Sequence, residues 1–132
     1  MTENYVKVFM SRKQRTLLAQ LRLGILPLEI ETGRFRNVKD AVTGNFRKLR
    51  EDERICKICE MNQVENEFHF ICVCPKYDVQ RTEFYQKVGE KTPQFISMNS
   101  NEKIVYLLKI EPHLLARFIE SIWNIRQNLL YV

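Results

Sequence analysis

The spacing of apolar residues predicts a helix over residues 10–23 of this 132-residue chain. Leu17 and Leu21 belong to a leucine stripe at helical spacing, which is typical of a helix side that packs in a core. Ser11 is a suitable N-cap before the stripe, and Gly24 is a natural stop after it. Arginine and lysine side chains occupy much of the remaining surface of this predicted helix.

The second half of the chain has three further stretches with helical periodicity. Residues 75–88, 99–110 and 111–130 each place apolar or aromatic side chains on or near one face. Pro75 and Pro112 suit the first turns of the first and last of these helices. The last stretch is amphipathic over its whole length, which predicts a long helix with one apolar face.

Two stretches lack helical spacing. Residues 25–36 alternate apolar and polar positions around Leu28 and Ile30, which predicts a short extended segment. Residues 37–50 are basic, and a turn is predicted within them at Gly44. Only 4 glycines and 4 prolines interrupt the whole chain, so we expect short connections and a largely helical protein.

Residues 54–74 contain all four cysteines and predict a β-hairpin that holds a metal ion. Cys56, Cys59, His69 and Cys74 form the pattern C-x2-C-x9-H-x4-C. Three thiolates and an imidazole at this spacing suit one tetrahedral Zn²⁺ ion. Because four protein ligands leave no open position for water, such a zinc ion would stabilise the fold and would not act in catalysis.

A fourth cysteine, Cys72, leaves the ligand set open. Side chains alternate along a strand, so His69 and Cys74 would point to opposite faces of a regular strand. The chain must therefore bend between them, or Cys72 replaces one of the two; we favour the set with Cys74. Glu65 and Glu67 are candidates to accept a hydrogen bond from the His69 ring, although solvent-facing positions suit them as well.

Two interpretations without a metal remain for the cysteines. The first is that they are reduced and buried as small hydrophobic residues. The second is a disulfide, which fits less well because no signal peptide is evident. We therefore expect an intracellular protein, in the nucleus or the cytoplasm. No apolar run approaches about 18 residues, so we expect no membrane association.

These elements predict a fold that is mainly α, with a small β-hairpin zinc knuckle and helices packed around a CCHC zinc site. The predicted organisation is one domain over residues 1–132. Its parts are a basic helical region at residues 1–53, the zinc hairpin at 54–74 and the C-terminal helices at 75–132.

The net charge of +5 is concentrated in the first half of the chain. Residues 1–57 hold 13 Lys and Arg against 7 Asp and Glu, whereas residues 58–132 hold 8 against 9. Basic clusters beside a zinc module favour binding of RNA or DNA with low sequence specificity, although a solvated helix face has the same composition. Phe35 lies between two arginines, where it would either stack on a base or be buried. The candidate phosphate contacts are Arg12, Lys13, Arg15, Arg34, Arg36, Arg47, Lys48 and Arg50.

No arrangement of catalytic residues is evident, so the sequence predicts a protein that is not an enzyme. Glycine-rich phosphate-binding loops are missing, and one of the 2 histidines is assigned to the metal. The alternative to nucleic-acid binding is a zinc-stabilised protein–protein interaction module. Its partner surface would be the last helix, through Phe118, Ile122 and Trp123.

The segments LAQLRLGILPLEIETGRF and VENEFHFICVCPKYDVQR, with RIC between them, resemble a known element. It is the zinc-binding region that follows the reverse transcriptase domain in non-LTR retrotransposon polyproteins. The resemblance covers about residues 13–126 and implies a zinc module that assists binding of template or target nucleic acid. It places the fourth metal ligand at Cys74. The matching positions are Glu31, Gly33, Arg34, Phe35, Cys56, Cys59, Val64, Glu65, Glu67, His69, Phe70, Cys74, Pro75 and Arg81.

Overall fold

A computed structural model describes residues 10–131 of the chain. The helices in this part are α1 (Arg12–Leu23), the single turn α2 (Glu29–Thr32), α3 (Asp78–Lys91), α4 (Ser100–Ile110) and α5 (Pro112–Leu130). Two short strands, β1 (Asn37–Lys39) and β2 (Phe46–Lys48), form an antiparallel hairpin. Across these described residues, no helix has both the length and the apolar character needed to cross a membrane.

Helix α1 begins and ends where its sequence predicts. The Ser11 hydroxyl accepts from the backbone N–H of Gln14, whose side chain accepts from the Ser11 N–H in return. Gly24 takes a left-handed conformation with φ of 69° and ends the helix. The buried side chains of Leu17 and Leu21 face the core, where α1 packs against α5.

Helix α5 is the central element of the core. It packs against α1, α3 and α4, and Leu115 and Ile119 are fully buried on its inner face. The ring of Phe118 stacks on that of Phe84 in α3, with the ring centroids 4.3 Å apart. Phe118 and Ile122 are therefore buried by the chain itself, which corrects the expectation that they are exposed to a protein partner.

Residues 25–36 are not extended, which corrects the prediction from their alternating pattern. The chain makes the helical turn α2 and continues into a 3₁₀ turn at Gly33–Phe35. The pattern misled because Glu29 was taken as an outward-facing polar residue. In the structure Glu29 is buried, and its carboxylate accepts from the Arg36 guanidinium at 2.7 Å.

The structure is mainly helical with a small hairpin, as predicted, but the strands lie outside the cysteine segment. The turn between β1 and β2 has strong local signals: Asp40 Oδ1 accepts from the backbone N–H of Val42 and Thr43, and Gly44 has a φ of 75°. Within residues 54–74 the pairing is limited to an isolated bridge between Ile55 and Val64. That segment then becomes helical instead of forming a second strand.

Candidate metal centre

The four predicted ligands meet at one place in the structure. Cys56, Cys59, His69 and Cys74 are all buried, and their ligand atoms lie within 4.8 Å of one another. Cys56 and Cys59 come from the turn between Ile55 and its bridge partner Val64, and the other two candidate ligands come from the helical turn at residues 69–74. Two separate turns of residues 54–74 thus bring three sulfurs and one imidazole into one compact group.

A π-helical turn at His69–Val73 places Cys74, and not Cys72, in the cluster. The Cys74 N–H donates to the His69 carbonyl at 2.7 Å, so these residues sit on the same side of one wide turn. A regular strand would have directed them to opposite faces. Cys72 lies within the same turn, is only half-buried and falls outside the cluster. The bend that the sequence requires is therefore this turn.

The spacing of the ligand atoms fits a metal ion. His69 Nε2 lies 3.3 Å from Cys59 Sγ. Metal–ligand bonds of about 2.0–2.3 Å in a tetrahedron place neighbouring ligand atoms about 3.5–3.8 Å apart. The observed contact is therefore slightly shorter than the ideal one. In the described part of the chain the second ring nitrogen, Nδ1, is buried without a hydrogen-bond partner.

The electrostatics of the cysteines also favour a cation. The Cys74 thiol donates to the Cys56 sulfur, and this bond lowers the pKa of Cys56 even though burial opposes the change. The same bond raises the pKa of Cys74 well above its usual range, and burial adds to the rise. Without a cation, Cys56 and Cys74 therefore cannot both be ionised, because one sulfur keeps its proton to form the hydrogen bond. A bound divalent cation would remove that conflict by stabilising every thiolate.

Glu65 does not accept from the His69 ring, which corrects one of the two expectations for that histidine. Its carboxylate instead forms a bidentate ion pair with the guanidinium of Arg126 in α5, with N–O distances of 2.8 and 2.7 Å. Glu65 Oε1 also accepts from the Glu29 N–H at 2.8 Å, and Oε2 lies 4.0 Å from Cys56 Sγ. This buried carboxylate therefore joins residues 54–74, which carry the cluster and which we call the metal segment, to α2 and α5.

Arg81 of α3 is a second buried arginine that supports the cluster. Its Nε donates to the Ile71 carbonyl at 2.9 Å, and its Nη2 donates to the Cys74 carbonyl at 2.8 Å. Asp78 neutralises the guanidinium with a contact of 2.7 Å. In the sequence, Arg81 was noted only as one of the positions that carry the family resemblance, without a structural role. The available signal was an arginine within an apolar stripe.

Arg81→Gln is expected to weaken metal binding about 10–100-fold, the range found when groups that hold metal ligands in place are removed. The shorter amide cannot reach both carbonyls, so the turn that carries Cys74 loses its clamp. Competition with a chromophoric chelator measures the affinity. Arg117→Gln, an exposed arginine on α5, is the matched control. Equal affinities for the two variants would contradict the clamp.

Half of the predicted phosphate contacts are engaged in ion pairs within the protein. These pairs are Arg34 with Glu31, Arg36 with Glu29, Arg47 with Asp40 and Glu53, and Arg50 with Asp52 and Glu53. The Arg47 side chain binds both carboxylate oxygens of Glu53, at 2.6 and 2.7 Å, and this pair lowers the pKa of Glu53 to about 2. Arg47 therefore anchors the hairpin.

The other four predicted contacts have no acidic partner among residues 10–131. They are Arg12, Lys13, Arg15 and Lys48. Lys13 donates to Asn124 Oδ1 at 2.6 Å, and Arg15 donates to the Met10 carbonyl at 2.9 Å. Phe35 is 69% exposed, and the Arg34 guanidinium lies 5.4 Å from its ring centroid. The burial alternative for Phe35 is thus not what the structure has.

No family model, curated protein or solved structure matches this chain. The fold and the site define a mainly helical protein with a buried cluster of three cysteines and one histidine that could hold a metal ion.

Proposed function

We propose that this protein is a non-catalytic zinc-binding module that binds RNA or DNA with low sequence specificity. The observation that carries the proposal is the buried four-ligand cluster. Soft thiolates together with an imidazole favour Zn²⁺ over the hard cations Mg²⁺ and Ca²⁺, which take oxygen ligands. All four residues are shielded from solvent, so a bound ion has no open position for a substrate or an activated water.

Zinc in this position would hold the fold together. Cys56 and Cys59 lie between Ile55 and its bridge partner Val64, while Cys74 leads directly into the turn before α3. A metal ion would therefore fasten the two ends of the cysteine segment to each other. It would also keep Glu65 where Arg126 of α5 binds it. Such a role makes metal-binding energy part of the folding energy.

Nucleic-acid binding is supported by charge and by the family resemblance. The basic residues of the first half exceed the acidic ones by a wide margin, and several exposed cations lack an acidic partner in the described part of the chain. The motif resemblance points to a template- or target-binding module of a non-LTR retrotransposon. We place such a protein in the nucleus or the cytoplasm, where thiolates stay reduced and available to zinc.

The first test combines native mass spectrometry with fluorescence anisotropy of a labelled single-stranded RNA oligomer. We expect one zinc ion per chain and an RNA affinity that falls steeply with salt, since phosphate contacts release counterions. A chain without zinc, or an affinity that does not depend on salt, would contradict the proposal.

A triple variant isolates the contribution of α1. Arg12→Ala, Lys13→Ala and Arg15→Ala together should lower the salt dependence by about 2 units of slope, because each single-strand phosphate contact adds about 0.7. The matched control removes three exposed cations of the C-terminal helices, Lys87, Lys109 and Arg117. Charge reversal at Arg47 is a poor test because it would break the hairpin anchor.

A further inference from the structure

The two faces of the β1–β2 hairpin differ in chemistry. The register pairs Asn37 with Lys48, Val38 with Arg47, and Lys39 with Phe46. Side chains alternate along each strand, so Asn37, Lys39, Phe46 and Lys48 share one face, which we call the ribbon face. All four of its residues are exposed, whereas Val38 and Arg47 on the opposite face are half-buried.

Among residues 10–131, the acidic side chains that form ion pairs with strand residues contact only the opposite face. Asp40 and Glu53 both bind Arg47, and they hold it at N–O distances of 3.2 and 2.6 Å. Within residues 10–131, Lys39 and Lys48 have neither an ion-pair partner nor a side-chain hydrogen bond. The ribbon face therefore has two uncompensated positive charges and no negative one.

An aromatic ring stands beside these charges. Phe46 is 75% exposed and lies directly across from Lys39, so their Cβ atoms are about 5 Å apart. Lys48 follows two residues later on the same face, about 7 Å along the strand. A ring with cations on two sides offers both a surface for a base and counter-charges for the phosphates that flank it.

Hydrogen bonds connect the hairpin to neighbouring parts of the fold. Arg54 donates to the carbonyls of Ile30 and Leu49 at 3.0 and 3.1 Å, which ties β2 to α2 beside the metal segment. The Leu49 N–H donates to the Arg36 carbonyl at 3.1 Å, which extends the pairing beyond the strands. A surface that is ordered before binding loses less conformational entropy when a ligand arrives.

We propose that the ribbon face binds single-stranded nucleic acid, with a base stacked on Phe46 and adjacent phosphates paired with Lys39 and Lys48. This inference rests on the proposed nucleic-acid function and adds a base-stacking surface to the phosphate contacts proposed for α1. A single strand fits because its bases are free to stack on a side chain, whereas a duplex keeps its bases stacked on each other. Selectivity among bases should be weak, since every base has a π-face.

The test measures the affinity of the full zinc-loaded chain for a labelled 12-nucleotide oligo-uridine by fluorescence anisotropy. Phe46→Ala should weaken binding at least about five-fold, in line with the loss of one base–aromatic stack, and should leave the salt dependence unchanged. Lys39→Ala together with Lys48→Ala should lower the slope of log affinity against log salt by about 1.4, since two phosphate contacts are lost.

Matched controls separate a binding role from a folding role. Tyr131→Ala removes an aromatic ring that is equally exposed, at 76%, but lies beyond the end of α5. Lys87→Ala with Lys109→Ala removes two exposed lysines from α3 and α4. Each control should bind the oligomer as the unaltered chain does. Zinc content and thermal unfolding of every variant verify that the metal segment is intact.

The outcomes distinguish this inference from the function on which it rests. Normal RNA binding by the ribbon-face variants would overturn the inference and leave the nucleic-acid function standing. Tighter binding to a duplex of the same length would also overturn it. If the unaltered, zinc-loaded chain binds no oligonucleotide, both the inference and the proposed function fail.

Discussion

Cys59→Ser is expected to abolish stoichiometric metal binding and to unfold the segment around the cluster. Removal of one of four ligands destroys a closed tetrahedral site, and structural zinc sites contribute on the order of 10–16 kcal/mol to small domains. The loss extends to the core because Cys56 and Cys74 are packed among its buried residues. Metal content by native mass spectrometry and thermal unfolding by circular dichroism measure both effects. A strong chelator should reproduce them in the unaltered chain.

Cys72→Ser is the matched control for this prediction. It makes the same chemical change at a cysteine that lies outside the cluster, so one metal ion per chain should remain. Loss of metal from this variant would show that the ligand set is wrong. An unchanged folded structure after complete metal removal would show that the metal does not stabilise this protein.

Arg126→Met is expected to lower the free energy of unfolding by about 3–5 kcal/mol, the usual cost of removing one partner of a buried ion pair. The change leaves the Glu65 carboxylate buried without its guanidinium, next to the Cys56 sulfur. Urea denaturation of the zinc-loaded chain measures the loss. Arg117→Met, at an exposed position on the same helix, should stay within about 0.5 kcal/mol of the unaltered chain.

A double variant tests whether the loss comes from an uncompensated charge. Glu65→Gln combined with Arg126→Met removes both charges, so its destabilisation should be smaller than the sum of the two single changes. Strict additivity would mean that the two side chains contribute independently. A single-variant loss below about 1 kcal/mol would place the pair with ordinary surface salt bridges instead.

The sequence alone was sufficient wherever the signal is local. The boundaries of α1 follow from Ser11 and Gly24, which act on the backbone groups of neighbouring turns. The long helix α5 follows from an apolar stripe that only one periodicity explains. The cluster of candidate ligands was predicted in the same way, because the spacing of three cysteines and a histidine restricts how the chain can bring them together.

The tertiary structure decided which residues meet across long separations. Glu29, Glu65 and Arg126 form one buried ionic group, although Glu65 and Arg126 are 61 residues apart in the chain. Charged side chains are rarely buried without a partner, and the pairing of these three lowers the free-energy cost of their burial. The error at residues 25–36 has this origin, since the pattern was interpreted with Glu29 on the outside. The same limit applied to the basic residues, because nothing local showed that Arg47 binds Glu53 while Lys48 stays free of acidic partners in the described chain.

The fourth residue of the cluster depended on both the sequence and the tertiary structure. Spacing by itself predicted a bend between His69 and Cys74 but left Cys72 as a replacement for either. The π-helical turn settles the geometry by bringing the fifth residue after His69 back beside it and directing Cys72 away. Arg81 of α3 donates to the carbonyls of Ile71 and Cys74 in this turn, and no pattern within residues 69–74 specifies that contact.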